Sequence, residues 1–390
     1  MSETFGLSGS PCLCRSPQAR EVTSASEVQS LLQLCCDQNI LDFTALINSM
    51  LQVSTIRKLG EASYSEVFLL SGSDSESSTV LKVIPFGQED QCEVKSLVQE
   101  VRITKIMAEV EGFIGFRGAF VVKGHFPEEL MAEWDSYDEQ RVSENERPDF
   151  YEKDQLFAII MLENGGTSLE HTELRSWEEA VHVFWQVAFA LARGEKERHF
   201  EHRDLHFGNI VLRRERSSSA EKLENSSLGE GSLTYPELPL KAALIDYTLS
   251  RACCSDWDSI EYMQLDDPAL FSGKGDYQFD IYRFMRDHVS SRLVTSGSES
   301  IDWKVYAPRT NVFWLHYLAT ILLTKMGIPR PISRGRNAVS QKERGFFKQL
   351  ETLARAIDTR HKRFKKSVDI ESSQKLVEWA VAEGIIATGI

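Results

Sequence analysis

Between residues 162 and 177 the texture of this chain changes, and that change constrains its fold more than any other feature. Upstream, from Ile56, β-branched and aromatic residues come in short runs, Glu66 to Leu70, Thr79 to Ile84 and Leu156 to Leu162, each bounded by turn formers as strands are. Among them Glu93 to Val110 carries Val94, Leu97, Val98, Val101, Ile103, Ile106 and Met107 close to an i, i+3, i+4, i+7 stripe, which predicts one helix among the strands. The Ser-rich piece Ser71 to Ser78 fits a hairpin connection. Downstream, Trp177 to Arg193 places Val181, Phe184, Trp185, Val187, Ala188 and Leu191 on one helical face. Further helices are expected over Phe279 to Asp287, Asn311 to Lys325, Gln341 to Arg360 and Ser372 to Glu383. The pattern predicts an α+β, bilobal fold with a small β-rich N-terminal lobe and a larger helical C-terminal lobe.

Outside this body, residues 1–25 mix Ser, Gly, Pro and Glu without a period and read as a flexible leader. Residues 26–52, with Leu31, Leu32, Leu34, Ile40, Leu41, Phe43, Leu46 and Ile47 at helical spacing, read as a helical extension. The remainder, 53–390, is expected to form one domain, with lobes of about 53–162 and about 167–390 and a hinge at 163–166. Arg213 to Pro239, rich in Ser, Glu and Gly, reads as an insertion in a loop or hairpin.

With 390 residues a large core forms without metal or disulfide staples. The net charge of −14 argues against a broad basic face for nucleic acid, so no sequence-specific nucleic-acid binding is expected, and it leaves room for a basic peptide partner. The seven cysteines show no paired C-x-x-C spacing with companion histidines, so a zinc site is not expected. No basic region followed by an apolar run opens the chain, which predicts an intracellular protein with reduced thiols. The longest apolar stretch, Val312 to Met326, is short for a membrane span and is interrupted by His316, Thr320, Thr324 and Lys325, so it reads as a buried helix.

The chemistry concentrates in His202-Arg203-Asp204-Leu205-His206-Phe207-Gly208-Asn209. Phosphoryl transfer needs a carboxylate to orient the attacking hydroxyl and receive its proton, and a nearby amide oxygen to help hold magnesium on the phosphates. A histidine, arginine and aspartate with an asparagine five residues after the aspartate resembles the catalytic loop of protein kinases. Downstream, Asp246 follows the apolar run Leu244-Ile245, where a carboxylate would reach the bridging magnesium. Val80-Leu81-Lys82-Val83 resembles the strand whose lysine neutralises the α and β phosphates, and Glu100 on the following helix is spaced to pair with Lys82. Alone, either residue reads as an ordinary surface charge. Leu59-Gly60-Glu61-Ala62-Ser63-Tyr64-Ser65-Glu66-Val67 keeps only the first glycine of G-x-G-x-x-G, which predicts a working but less accommodating phosphate hairpin. Asp204, Lys82 and Glu100 are therefore the candidate catalytic residues, Asn209 and Asp246 the candidate metal ligands, and ATP with Mg2+ the expected cofactors.

With these residues in view, the chain resembles the haspin family of atypical protein kinases. Asp246-Tyr247-Thr248 stands in place of D-F-G, continuing as Leu249-Ser250-Arg251, and Phe271-Ser272-Gly273-Lys274-Gly275-Asp276-Tyr277-Gln278-Phe279-Asp280-Ile281-Tyr282-Arg283 is a long matching string. Similar stretches are Glu111 to Gly115, Arg147 to Phe150, Leu162 to Gly166 and Asn311 to Tyr317, so the resemblance runs over about residues 55–326. It implies a serine/threonine kinase acting on a threonine of the basic amino-terminal tail of histone three, nuclear and chromosome-associated in mitosis with a cytoplasmic pool, monomeric, and free of membranes. It also implies Leu162 as gatekeeper, backbone groups of Glu163 to Gly165 on the adenine, Gly60 over the phosphates, and Ile56, Val67 and Leu212 as apolar walls. No A-P-E follows Asp246, which implies activity without activation-segment phosphorylation. The substrate groove implied is acidic, with Ser168, Glu170, His206, Asp276 and Asp280 as its residues. Ser168 and Lys274 depart from the family pattern, each removing negative charge. Asp276 and Asp280 read equally as a helix cap and a structural aspartate.

The run Arg360-His361-Lys362-Arg363-Phe364-Lys365-Lys366 reads as a solvated helix end, with a contact to DNA or acidic chromatin surfaces as its rival. Two other functions compete. His206 fits the H-x-D-x-H-x-x-N loop of aminoglycoside and choline kinases, against which stand Arg203 and the two family strings. The thin glycine hairpin fits a pseudokinase, against which stands the full set of Lys82, Glu100, Asp204, Asn209 and Asp246.

Overall fold

The computed structural model describes residues 24–62, 65–72, 78–215, 239–254, 259–292, 301–331, 338–358, 360 and 369–386. The expected leader lies almost wholly outside these residues, as do most of the 213–239 insertion, residues 73–77 of the hairpin connection and the basic run beyond Arg360. The chain divides into two compact units: residues 1–105, 115–164 and 266–270 form one, residues 106–114, 165–265 and 271–390 the other. One is β-rich and the other mainly helical, as the change of texture predicts.

The first unit runs α1 (Ala25–Leu32), β1 (Leu41–Asp42), α2 (Phe43–Leu51), β2 (Ser54–Ala62), β3 (Ser65–Gly72), β4 (Thr79–Phe86), α3 (Val94–Met107), β5 (Phe116–Lys123), α4 (Glu128–Arg141) and β6 (Leu156–Glu163). Among the described residues its sheet has six strands in the order β1-β5-β6-β4-β3-β2. Short β1 pairs parallel with β5, and the other neighbours are antiparallel. Because side chains alternate along a strand, one face carries Ile84, Ala119, Val121, Ala158 and Ile160 against Leu97 and Val101 of α3 and Leu31 and Leu32 of α1. The opposite face carries Phe68, Leu81, Val83, Val122, Phe157 and Ile159 against Phe43 and Ile47 of α2 and Leu130 of α4. Covered on both sides, each such Phe, Leu or Ile contributes about 1.5–3 kcal/mol of burial.

The second unit contains β7 (Thr167–Ser168), α5 (Trp177–Arg198), β8 (Ile210–Arg214), β9 (Leu240–Leu244), β10 (Arg251–Cys253), β11 (Ile260–Tyr262), α7 (Gln278–Arg292), α8 (Arg309–Thr324), α9 (Ala338–Ala356) and α10 (Ser373–Ala382), with α6 (Pro268–Ser272) in the stretch before α7. Ser176 starts α5 by accepting a hydrogen bond from the Glu179 N–H, and His199 ends it in the left-handed conformation. Val181, Phe184, Trp185, Val187, Ala188 and Leu191 are all buried, as the stripe requires. Helix α8 buries Val312, Phe313, Trp314, Leu315, Tyr317 and Leu318, which makes it the enclosed helix its composition predicts. Among the described residues no helix is long and apolar enough to cross a membrane. Strands β8 and β9 pair antiparallel out to Arg214 and Leu240, so the chain flanking the insertion is a hairpin.

Candidate active site

In the first unit, Lys82 on β4 and Glu100 on α3 meet with Nζ 2.6 Å from Oε1. Both are largely shielded, and desolvation strengthens such a pair relative to a surface one. The sequence spacing had anticipated this contact. Val67 pairs with both Lys82 and Gly60 across the sheet, which brings these three candidates to neighbouring strand positions. Leu162 pairs with Val80 and lies against the α3 face.

Ile56 is placed elsewhere. It packs against the opposite cluster, with Phe68 and Phe43, because it lies in register before the irregularity between Lys58 and Gly60. Half-buried Leu59, at that irregularity, is the apolar residue beside Gly60. The Glu163 N–H is committed to the Gly115 carbonyl at 2.8 Å, so that donor is not among those facing an adenine.

The β2–β3 hairpin is tied down in a way the motif did not reveal. The Lys58 ammonium lies between Glu61 (3.1 Å) and Glu66, and over the rings of Tyr137 and Trp134 on α4. Glu61 also accepts from the Ser143 hydroxyl and the Glu144 N–H at 2.6 and 2.7 Å, and Glu66 accepts from Asn145 Nδ2 at 3.0 Å. The segment after α4 thus straps a hairpin that is short of glycine.

In the second unit, the 202–209 loop is held mostly by charges and amides buried beneath it. Asn311 on α8 accepts from the His202 N–H through Oδ1 and donates through Nδ2 to Glu195 and to the Phe200 carbonyl. Fully buried His202 is pushed down to about 4 by burial, so its ring is neutral and Nε2–H donates to the Ile245 carbonyl. That bond joins the loop to the segment carrying Asp246. Arg203, also fully buried and at φ +65°, pairs with Glu201, donates to the Trp303 carbonyl and stacks on the Trp303 ring. Glu201 accepts in addition from the Ala307 N–H and the Thr310 hydroxyl, both at 2.8 Å. The loop arginine is therefore occupied by a carboxylate of the chain itself.

On this base Asp204 and Asn209 are brought together: Asn209 Nδ2 donates to the Asp204 carbonyl at 2.8 Å, which turns Oδ1 into the amide's acceptor. The Ile245 N–H donates to the Asn209 carbonyl, bringing Asp246 alongside. Asp246 has φ +63°, a conformation aspartate tolerates better than bulkier residues, and its Oδ1 accepts from the Thr248 N–H and hydroxyl. Tyr247, where a phenylalanine usually follows the aspartate, is buried beside Phe200 and His202 and anchors through its hydroxyl to the Leu244 carbonyl at 2.6 Å. An amide oxygen and a carboxylate are hard donors, a set that fits magnesium, which takes few protein ligands and completes its shell with phosphates and water.

The expected groove residues divide. His206, Glu170 and Asp276 are near enough for His206 to feel both carboxylates, although burial, the larger effect, holds its ring below the usual range. The buried Tyr317 hydroxyl lies among the fields of Asp276, Glu170 and Asp204. Ser168 hydrogen-bonds His171 at 3.0 Å. Asp276 caps the start of α7 by accepting from the Gln278 N–H and is ion-paired to Lys325 at 2.6 Å, a neutralising partner the sequence did not suggest. Asp280 is half-exposed and paired with Arg283, so it is not core-facing. Leu212 on β8 is buried beside Gly166, and Gly165 is packed against Val211.

A shielded lysine–glutamate pair on sheet and helix in one unit, and an aspartate, asparagine and second aspartate convergent in the other, define the protein-kinase class. The Haspin like kinase domain model matches residues 16–377. The chain belongs to the haspin kinase family, whose members are serine/threonine protein kinases. It is 38% identical to the serine/threonine-protein kinase haspin homolog hrk1 of Schizosaccharomyces pombe over 90% of this chain and 71% of that one. Identity is 31% to the haspin homolog of Drosophila melanogaster over 76% of this chain and 53% of that one. With haspin of Mus musculus it is 36%, over 69% and 36% respectively, so the chain spans about half or less of these animal relatives. The match reaches beyond residues 55–326 at both ends, because α1, α2 and α10 supply buried residues of their units.

Proposed function

We propose that this kinase transfers the γ-phosphoryl group of ATP, with Mg2+, to a threonine in the basic amino-terminal tail of histone three. The observation that carries the phosphoryl-transfer reading is the convergence of Asp204, Asn209 and Asp246, fastened by the Asn209–Asp204 and Ile245–Asn209 hydrogen bonds. Asp204 orients the acceptor hydroxyl and takes its proton as the new oxygen–phosphorus bond forms and the bond from the γ-phosphorus to the bridging oxygen breaks, with ADP leaving. Lys82, held by Glu100, balances phosphate charge. Asn209 Oδ1 and Asp246 would hold the metal, which when bound neutralises charge developing on the phosphates.

The histone tail is supported by the grouping of Glu170, His206 and Asp276, which suits a cationic segment, and by the haspin names of the relatives. Ser168 and the Lys325–Asp276 pair weaken that negative field, so acceptance of less basic tails follows. The enzyme acts as a monomer on mitotic chromosomes in the nucleus, with a cytoplasmic pool, in this reading. Radiolabelled ATP offered with a histone-three tail peptide, with a peptide array and with amino alcohols tests it: label should enter the tail peptide at threonine and be lost in D204N. Label in amino alcohols alone would overturn it.

A further inference from the structure

We propose that Tyr282 is a positioning residue for the Asp204 carboxylate; this rests on reading Asp204 as the base. Tyr282 lies on α7, 78 residues along the chain, fully buried, and its hydroxyl donates to Asp204 Oδ1. The ring is clamped edge-on by Trp314 at 5.4 Å and flanked by Phe279 at 6.5 Å, so the hydroxyl has little freedom to leave. Asp204 is itself only 6% exposed, so the carboxylate has little contact with bulk water. Burial, reinforced by the Asp204 charge, holds the phenol well above its ordinary range. Tyr282 therefore keeps its proton throughout turnover and cannot compete as proton acceptor.

A neutral donor fixed on one oxygen sets the plane of the carboxylate and the direction in which its other oxygen points. That orientation matters to a base that must meet a hydroxyl within hydrogen-bond reach. Rigid packing of α7 against α8 through Trp314 supplies that donor.

The test compares Y282F, 3-fluorotyrosine at position 282 and D204N, using histone-three tail peptide and ATP. Y282F keeps the ring packing; its kcat should fall on the order of tenfold with the KM for ATP and for the peptide little changed. Fluorotyrosine, which keeps a donor of similar shape, should hold kcat near that of the wild type. A packing role would lower thermal stability in Y282F without this loss confined to kcat. Wild-type kcat in Y282F, or wild-type kcat with 4-aminophenylalanine, a weaker donor, at position 282 if Y282F does not fold, overturns the proposal. Turnover retained in D204N would instead overturn the assignment of Asp204 as base.

Discussion

Replacing Glu195 by Gln should flatten the dependence of folding stability on pH. Glu195, on α5, is 3% exposed and accepts from Asn311 Nδ2 at 3.0 Å and from the Ser373 and Gln374 N–H groups at 2.9 and 3.0 Å, at the start of α10. Burial outweighs these three bonds and pushes its carboxyl from an ordinary 4.5 up to about 7. A folded value raised above the unfolded one means a contribution fully present below pH 4.5 and lost as pH rises to about 7. At 1.36 kcal/mol per pH unit the loss is about 3 kcal/mol. Glutamine neither gains nor loses a proton, but its NH2 must face one of the donors. At pH 5 the variant should therefore be weaker by about 1–3 kcal/mol, and the deficit should shrink or reverse by pH 7.5. Urea denaturation of both proteins across this range measures it, since every other titrating group is shared and cancels in the difference. A difference constant to within about 0.5 kcal/mol from pH 5 to 7.5 would refute the reasoning.

Lys58→Met removes the cation joining Glu61, Glu66 and the α4 rings, and steady-state kinetics should show the KM for ATP raised several-fold with kcat at saturation nearly kept. Gly166→Ala places a methyl group against the Leu212 carbonyl at a φ of +96°, and thermal unfolding should report a loss of about 2–4 kcal/mol. Arg203→Met leaves the buried Glu201 carboxylate with the Ala307 and Thr310 donors and with Arg251 at 3.9 Å, so the loss by chemical denaturation should be about 1.5–3 kcal/mol. Because Arg203 is already paired internally, phosphatase treatment of the wild-type kinase should leave its activity unchanged.

The parts of this site that could be read from sequence are those set by local spacing. Asp204 and Asn209 share one loop, Lys82 alternates on one strand, and α5 announces itself by its stripe. Helix α4 does not, because only Leu130 and Trp134 are buried in a mostly polar stretch, so no apolar face stands out. Strand β5 was missed for the opposite reason: Phe116–Lys123 is apolar on both sides, and its register breaks at Gly118. Ile56 was expected as an adenine wall on the resemblance alone, and the irregularity between Lys58 and Gly60, which no motif announces, puts it on the opposite face. Tyr282, Asn311 and Glu201 act across 78 to 109 residues, a distance at which no periodicity carries a signal. Lys325 was noted as an interruption in an apolar run; only the fold brings it to Asp276.

The two-residue pairing of Leu41 and Asp42 with Val122 and Lys123 has a consequence for handling the protein. It occupies part of the outer backbone of β5, and the Cys36 N–H takes the Ala119 carbonyl of the same strand. Any fragment that starts near Val53 would leave that strand as a bare, hydrophobic rim able to recruit another chain. Such fragments should precipitate or self-associate on expression, whereas those retaining the first helices should stay dispersed.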